Sequence, residues 1–359
     1  MYFLSILSYS RNLKVFFSFF ISVVLFQNIA ILKLESCLNQ SLSHLDGTSN
    51  PIDDIFERSN HAKPQILRSD LIYSPISKPS HPGPFVIEEY KLIFFSVPKV
   101  GCSEWKLLLM RMSNNPLWCC DDCEEGYMHE MKLNKLKILR DYTTEEATNM
   151  MTSPDWTRAI FLRDPKERIL SAFLDKARNE YMFRSKCCDA FTDSITRNEC
   201  YKCLSAKEST KPECQTPETY EKFLHFVTKY PDQCTNKHWE QMSSKVDSKW
   251  WPYMNFIGSY DNMHIDAMRL LQGLHSDSDP IEGRSAWERY GQNGWGTSNG
   301  CENRPSKFLE INTSYHNLGA NSQMTKWYNP QAHSLVEKYW ASDYDIKGSY
   351  FERPKGILV

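Results

Sequence analysis

The sequence predicts a P-loop-like α/β fold with a mostly parallel sheet flanked by helices. Two strand-turn-helix units of matching grammar, and the alternation of strands and helices they set up, point to it. In the first unit, Leu92 to Val97 is an apolar run rich in β-formers, Pro98 and Gly101 punctuate it, and Trp105, Leu108, Leu109 and Met112 then recur at helical spacing. A helix starting at that turn leaves the N–H groups of Val100 to Ser103 unpaired, gathers the positive end of the helix dipole there, and adds the full charge of Lys99. Such a turn suits a phosphate-like anion. It lacks the G-x-x-x-x-G-K-[ST] spacing of nucleoside triphosphatases, which argues against an ATPase or GTPase.

The second unit runs from Thr157 to Phe173. Ala159 to Leu162 reads as its strand, with Arg163 at the end. Asp164 is placed to cap the helix, Pro165 takes the first helical position, and Glu167 completes a capping box. Arg163 and Ser171 lie eight positions apart, so a strand-end guanidinium and a hydroxyl about two turns along the helix can converge on a second phosphate. Two anion sites suggest a doubly phosphorylated ligand. Lys106, Lys166 and Arg168 read as solvated helix-face charges, with Lys106 close enough to approach a ligand.

These motifs resemble those of the Golgi carbohydrate sulfotransferases of the HNK-1 and chondroitin 4-O-sulfotransferase type. Pro98-Lys-Val-Gly-Cys-Ser-Glu-Trp-Lys106 is similar to the family's loop for the 5′-phosphosulfate of 3′-phosphoadenosine 5′-phosphosulfate. Arg163 to Ala172 resembles the segment that holds its 3′-phosphate. His316 to Pro330, continuing to Tyr339 and Ser342-Asp-Tyr344, resembles the family's closing helix. The resemblance implies the sulfotransferase fold and sulfuryl transfer to a carbohydrate hydroxyl. It also implies donor contacts from Pro98, Lys99, Val100, Gly101, Cys102, Ser103, Trp105, Lys106, Arg163 and Ser171. The chemistry needs no metal.

Catalysis by such a site rests on positioning and electrostatics. Lys99 and the loop amides would stabilise the departing phosphate, and Ser103 would hydrogen-bond it. The candidate base is His238 in Asn236-Lys-His-Trp239, which resembles the family's His-Trp segment ahead of a strand like Asn255-Phe-Ile-Gly258 and is equally readable as a packed or acceptor-contacting element. Glu104 is either a rival base or a carboxylate favoured in a first helical turn. A lumenal glycosyltransferase is the alternative enzyme, since Asp277-Ser-Asp279 and Asp343-Tyr-Asp345 match the D-x-D pattern. A non-catalytic glycan-binding pseudo-enzyme is the other reading.

Composition bounds the setting. A chain of 359 residues with 41% hydrophobic content supports one large domain with appendages, and a formal charge of -2 supplies no global field for nucleic acid. Val15 to Leu32 is nearly continuously apolar and about 27 Å long as a helix. Arg11 and Lys14 precede it, which leaves the N-terminus cytoplasmic. The expected organisation is a tail at 1–14, a signal anchor at 15–32, a stem at 33–84 with a sequon at Asn39, and a lumenal catalytic domain at 85–359. A cleaved signal peptide is the alternative. A type II membrane protein follows from the anchor, and the family resemblance implies the Golgi as its membrane.

Twelve cysteines suit that compartment and make disulfides the default. The Cys200-Tyr-Lys-Cys203 spacing leaves a zinc reading open, Cys102 is packed or paired, and Cys37 is placed to link two chains in a homodimer. The insertion between about 180 and 234 holds six of the twelve cysteines. A breaker-rich loop spans Gly291 to Cys301, and Asn312 begins a second sequon.

Overall fold

Four apolar stretches pair into one sheet in the computed structural model, which describes residues 83–346 and 348 apart from 121, 125, 179–181, 205–208 and 292–318. The strands are β1 (Phe85–Ile87), β2 (Leu92–Phe95), β3 (Thr157–Leu162) and β4 (Phe256–Ser259). They lie side by side in chain order. β1 runs antiparallel to β2, and the β2–β3 and β3–β4 pairings are parallel. The expected mostly parallel sheet is therefore present. All four residues of β2 are buried, as befits a strand covered on both faces.

Parallel neighbours need crossovers, and helices supply them. Between β2 and β3 run α1 (Cys102–Met112) and α2 (Thr144–Thr152). After β3 come α3 (Pro165–Ala172), α4 (Ser194–Tyr201) and α5 (Pro217–Lys229), and after β4 comes α6 (Met263–Gln272). The chain closes with α7 (Ala320–Trp327), α8 (Pro330–Tyr339) and a short helix, Ala341–Tyr344. Trp105 seats α1 on the sheet, its ring 4.7 Å from that of Phe94 and 4.6 Å from that of Phe161. Gly258 on β4 has no room for a side chain, because a Cβ there would lie 2.4 Å from the Phe161 ring.

Apolar packing forms two clusters. One wraps the sheet with α1, α2 and α6, and the other joins α3 to the cysteine-rich segment, α5, α7 and α8. Three disulfides staple the second cluster: Cys187–Cys234, Cys188–Cys200 and Cys203–Cys214. A fourth closes Cys120–Cys123. The sulfurs of Cys187, Cys188 and Cys200 lie within 4.8 Å of one another, but all three are consumed in disulfides, and so is Cys203, which removes the zinc reading of that group. Cys102 carries an unpaired thiol.

Three local expectations need correcting. The first strand ends at Phe95, short of Val97. Asp164 does cap α3, accepting from the N–H groups of Lys166 and Glu167, but Glu167 turns its carboxylate to Arg163, so the capping box does not form. Nor are Lys106, Lys166 and Arg168 solvated: Lys106 and Arg168 are buried, and Lys166 is largely covered in an ion pair with Glu337.

Among the described residues no helix is long and apolar enough to cross a membrane. The expected span at 15–32, the stem as far as residue 82, Cys37, both sequons, His316 and most of the 291–301 loop lie outside the described residues.

Candidate active site

Adjacent parallel strands place the two turns expected to bind anions at one sheet edge: β2 ends at Phe95, opposite Ile160, and β3 ends two residues further on, at Leu162. The first turn reverses through two left-handed residues, Lys99 (φ 67°) and Gly101 (φ 68°). Gly101 adopts that conformation without the steric cost that Lys99 bears. The Val100 N–H donates to the Val97 carbonyl at 3.3 Å, so it is occupied rather than open as the sequence suggests. The first helical bond of α1 runs from Trp105 N–H to the Gly101 carbonyl at 3.0 Å, and the amides of Cys102 and Ser103 lie ahead of it.

Lys99 reaches across to α3's extension. Its Nζ donates to Asp175 Oδ2 at 2.8 Å, where the Lys176 ammonium also sits at 3.2 Å. Burial pushes the Asp175 carboxyl up, but the Lys99 and Lys176 charges together overcome it and hold it below the usual carboxylate range. Asp175 lies in a π-helical turn, Phe173–Ala177, that prolongs α3.

The second turn places Arg163 against the first. Its Nη1 donates to the Lys99 carbonyl at 3.3 Å, its other edge pairs with Glu167 at 3.3 Å, and the guanidinium lies 4.3 Å from the Tyr260 ring centroid. Ser171 is buried in the last turn of α3, and no hydrogen bond joins it to Arg163 among the described residues.

Arg168 ties the loop to the segment that carries His238. Wholly buried, it donates through Nε to the Pro98 carbonyl at 3.1 Å, through Nη1 to Glu240 at 2.7 Å and through Nη2 to Lys237 at 3.3 Å. The C-terminal block grips the same segment from the far side. Asp343 accepts from the N–H groups of Met242 and Ser243, and Trp340 Nε1 donates to the Trp239 carbonyl at 2.9 Å. Asp343 is thereby committed to structure, and Asp279 to Arg284 and Arg289, so neither D-x-D pattern presents a free pair of carboxylates.

His238 itself is buried, and its state follows from its neighbours. Asn236 Oδ1 accepts from the His238 backbone N–H at 3.0 Å, which identifies that atom as the oxygen; the same atom lies 2.6 Å from His238 Nδ1. Nδ1 therefore carries the ring proton, leaving Nε2 with its lone pair. Burial, reinforced by the charges of Lys237, Lys176, Lys99 and Arg168, holds this imidazole well below its ordinary range. The ring is neutral at pH 7.

On the other flank, Ser103 Oγ lies 3.0 Å from His129 Nε2, and Lys106 Nζ lies 2.6 Å from His129 Nδ1. Burial pushes the Lys106 ammonium down to about 8, with Cys102 opposing and Lys237 assisting. Pro98, Val100, Gly101 and Cys102 all lie in this turn and helix start, whereas Trp105 points into the core and supports the site from beneath.

Sequence reasoning missed His129, Asp175, Tyr260 and the role of Arg168. Asp175 sits three positions beyond Ala172, past the end of the motif and in the π-helical turn. His129 offers no such signal, being a lone histidine in a turn-rich stretch.

Comparison with known proteins identifies the family. The Sulfotransferase family matches residues 83–346. Carbohydrate sulfotransferase 9 of Homo sapiens is 27% identical over 194 residues, 52% of this chain and 40% of that protein. Carbohydrate sulfotransferase 11 of Mus musculus is 27% identical over 196 residues, 52% of this chain and 51% of that protein. Carbohydrate sulfotransferase 10 of Homo sapiens is 30% identical over 107 residues, covering 30% of this chain and 29% of that protein. The matched region thus spans about half or less of the length of these relatives. No solved structure matches the chain. With a family match that runs from the first strand to the C-terminal block and takes in both strand-to-helix turns, the chain belongs to the sulfotransferase family.

Proposed function

We propose that this chain transfers a sulfuryl group from 3′-phosphoadenosine 5′-phosphosulfate to a hydroxyl of a carbohydrate acceptor. The observation that carries the reading is the meeting of two cationic turns on one sheet edge, Arg163 donating to the carbonyl of Lys99, with a neutral histidine held beside them. The donor has two anionic ends. Lys99 with the Cys102 and Ser103 amides suits the phosphosulfate, and Arg163 with Ser171 suits the 3′-phosphate. The names of the relatives support a carbohydrate acceptor.

When bound, the donor supplies an activated sulfuryl group on a phosphate leaving group. The protein's part is to hold and to neutralise. Lys99 exchanges Asp175 for the anion and stabilises charge on the departing phosphate. His238 Nε2 takes the proton of the attacking hydroxyl, its Nδ1–H held by Asn236. Arg168 fixes the distance between these two groups through its bonds to Pro98 and Lys237. We extend the proposal to a Golgi membrane protein with its catalytic region in the lumen, supported by the four disulfides of the described region and the apolar stretch at 15–32.

Calorimetric titration with 3′-phosphoadenosine 5′-phosphate tests the donor site. Binding should weaken roughly tenfold or more in Arg163→Ala, which loses a charge-assisted contact. No binding by the folded wild-type protein would sink the proposal. Labelled donor with chondroitin and other glycans as acceptors then tests transfer.

The pH profile gives a second check. Because the folded pKa of His238 is depressed, kcat/KM of the free enzyme should stay level as pH falls from 7 through 6.5, the ordinary imidazole value, and drop only well below it. An acid limb centred at or above 6.5 would remove His238 as the base.

A further inference from the structure

The two histidines beside the loop are held in opposite tautomers. Lys106 is an ammonium with three donors and no lone pair, so at 2.6 Å it must donate to His129 Nδ1. A neutral His129 ring then carries its proton on Nε2, and that N–H points at Ser103 Oγ, 3.0 Å away. The serine oxygen accepts, and its own proton is left to be donated elsewhere. Ser103 is the second residue of α1, in the turn where Cys102 and Ser103 amides also lie ahead of the first helical bond.

Placement supports a role beyond packing. The His129 ring is exposed, on a 3-10 turn, Tyr127–His129, fixed by the buried Tyr127 and by the His129 N–H bond to the Gly126 carbonyl at 2.8 Å. Lys106 is the reverse, a buried cation whose head lies over the Phe85 ring, 5.7 Å from its centroid, and whose one hydrogen bond among the described residues goes to His129.

We propose that His129 is a positioning residue for sulfuryl transfer, holding the Ser103 oxygen so that its hydroxyl proton is presented to the leaving phosphate, with Lys106 locking the ring in the required tautomer. This rests on the sulfotransferase reading above. His129 is thus the counterpart of His238: one ring fixes a donor on the leaving-group side, the other offers a lone pair to the acceptor hydroxyl. Charge on the leaving phosphate grows as the sulfur–oxygen bond breaks, so a donor aimed there acts on kcat more than on donor affinity.

Two substitutions separate the ring's edges. His129→Gln places an amide N–H near the position of Nε2 and keeps the contact to Ser103, whereas His129→Asn keeps an acceptor near Lys106 and loses it. The readout is release of labelled sulfate from 3′-phosphoadenosine 5′-phosphosulfate into water, which needs no acceptor glycan. His129→Asn should lower kcat roughly 10- to 100-fold with donor KM within about threefold, and His129→Gln should stay within about threefold of wild type. On a Ser103→Ala background the Asn substitution should add nothing. Equal losses in both variants, an undiminished Asn variant, or an additive loss on Ser103→Ala would overturn the proposal. A wild type that binds no 3′-phosphoadenosine 5′-phosphate, or binds it without turnover, refutes the donor reading itself and the inference with it.

Discussion

Lys99→Ala lowers kcat for sulfate release from the donor by roughly 10²- to 10³-fold while leaving the fold intact. The lysine is the one full charge carried on the loop itself, and its ammonium is already desolvated, at 10% side-chain exposure. An ammonium in that setting stabilises a developing anion far more than it does in water. Its removal should cost the structure little, because Asp175 keeps Lys176 at 3.2 Å as a counter-ion. The left-handed backbone at position 99 costs alanine much the same as lysine, and Lys99→Gly relieves that cost altogether. The pair of variants therefore dissociates catalysis from stability: both lose turnover, and the glycine variant melts no lower than the alanine one. Single-turnover sulfate release together with scanning calorimetry decides it. A folded Lys99→Ala protein with kcat within tenfold of wild type would take Lys99 out of the reaction.

Much of this site is legible in the sequence because its local chemistry and its tertiary setting agree. Two apolar strands end in breakers, Asp164-Pro165 starts a helix where one is needed, and the chain's own parallel pairing does the rest. The charges on α1 and α3 are another matter. Helical periodicity assigns Lys106 and Arg168 to a solvated stripe, yet residues 168–172 of α3 are all buried. A helix covered on every side has no solvated stripe, and no local pattern announces that. Asp175 was hidden for a related reason, since the π-helical turn at Phe173–Ala177 breaks the regular spacing along which partners are sought. His129 is reached only through tertiary contact with α1, 23 residues earlier than the ring it meets. The closing block resembles its family in sequence, but its physical task, gripping the backbone around His238 through Asp343 and Trp340, appears only in three dimensions.

Arg168→Met is expected to destabilise the protein by about 3 to 5 kcal/mol, the usual consequence of removing one partner from a buried charged cluster. Burial pushes this guanidinium down to about 10, with Asp343 and Glu240 opposing, so it stays charged at neutral pH. Around it lies a balanced set of buried charges: Lys245 pairs with Glu240, and Asp343 faces Arg168 while accepting two backbone N–H groups. Methionine fills the volume but strands the carbonyls of Pro98, Lys237 and Glu240 and leaves Asp343 without its compensating cation. Arg168→Lys should rescue only partly, since a point ammonium on a shorter reach cannot span three carbonyls held by a planar fork. In a domain of this size the methionine variant should melt on the order of 10 °C lower. The functional signature is separate from the thermal one. Below its melting point the variant should still bind 3′-phosphoadenosine 5′-phosphate through Lys99 and Arg163, yet turn over slowly, because the bonds that hold the His238 segment against the Pro98 turn are gone. Calorimetric melting combined with bisphosphate titration and sulfate release checks both parts, and a variant that melts within about 2 °C of wild type with undiminished kcat would show that the loop and the base are positioned by other contacts.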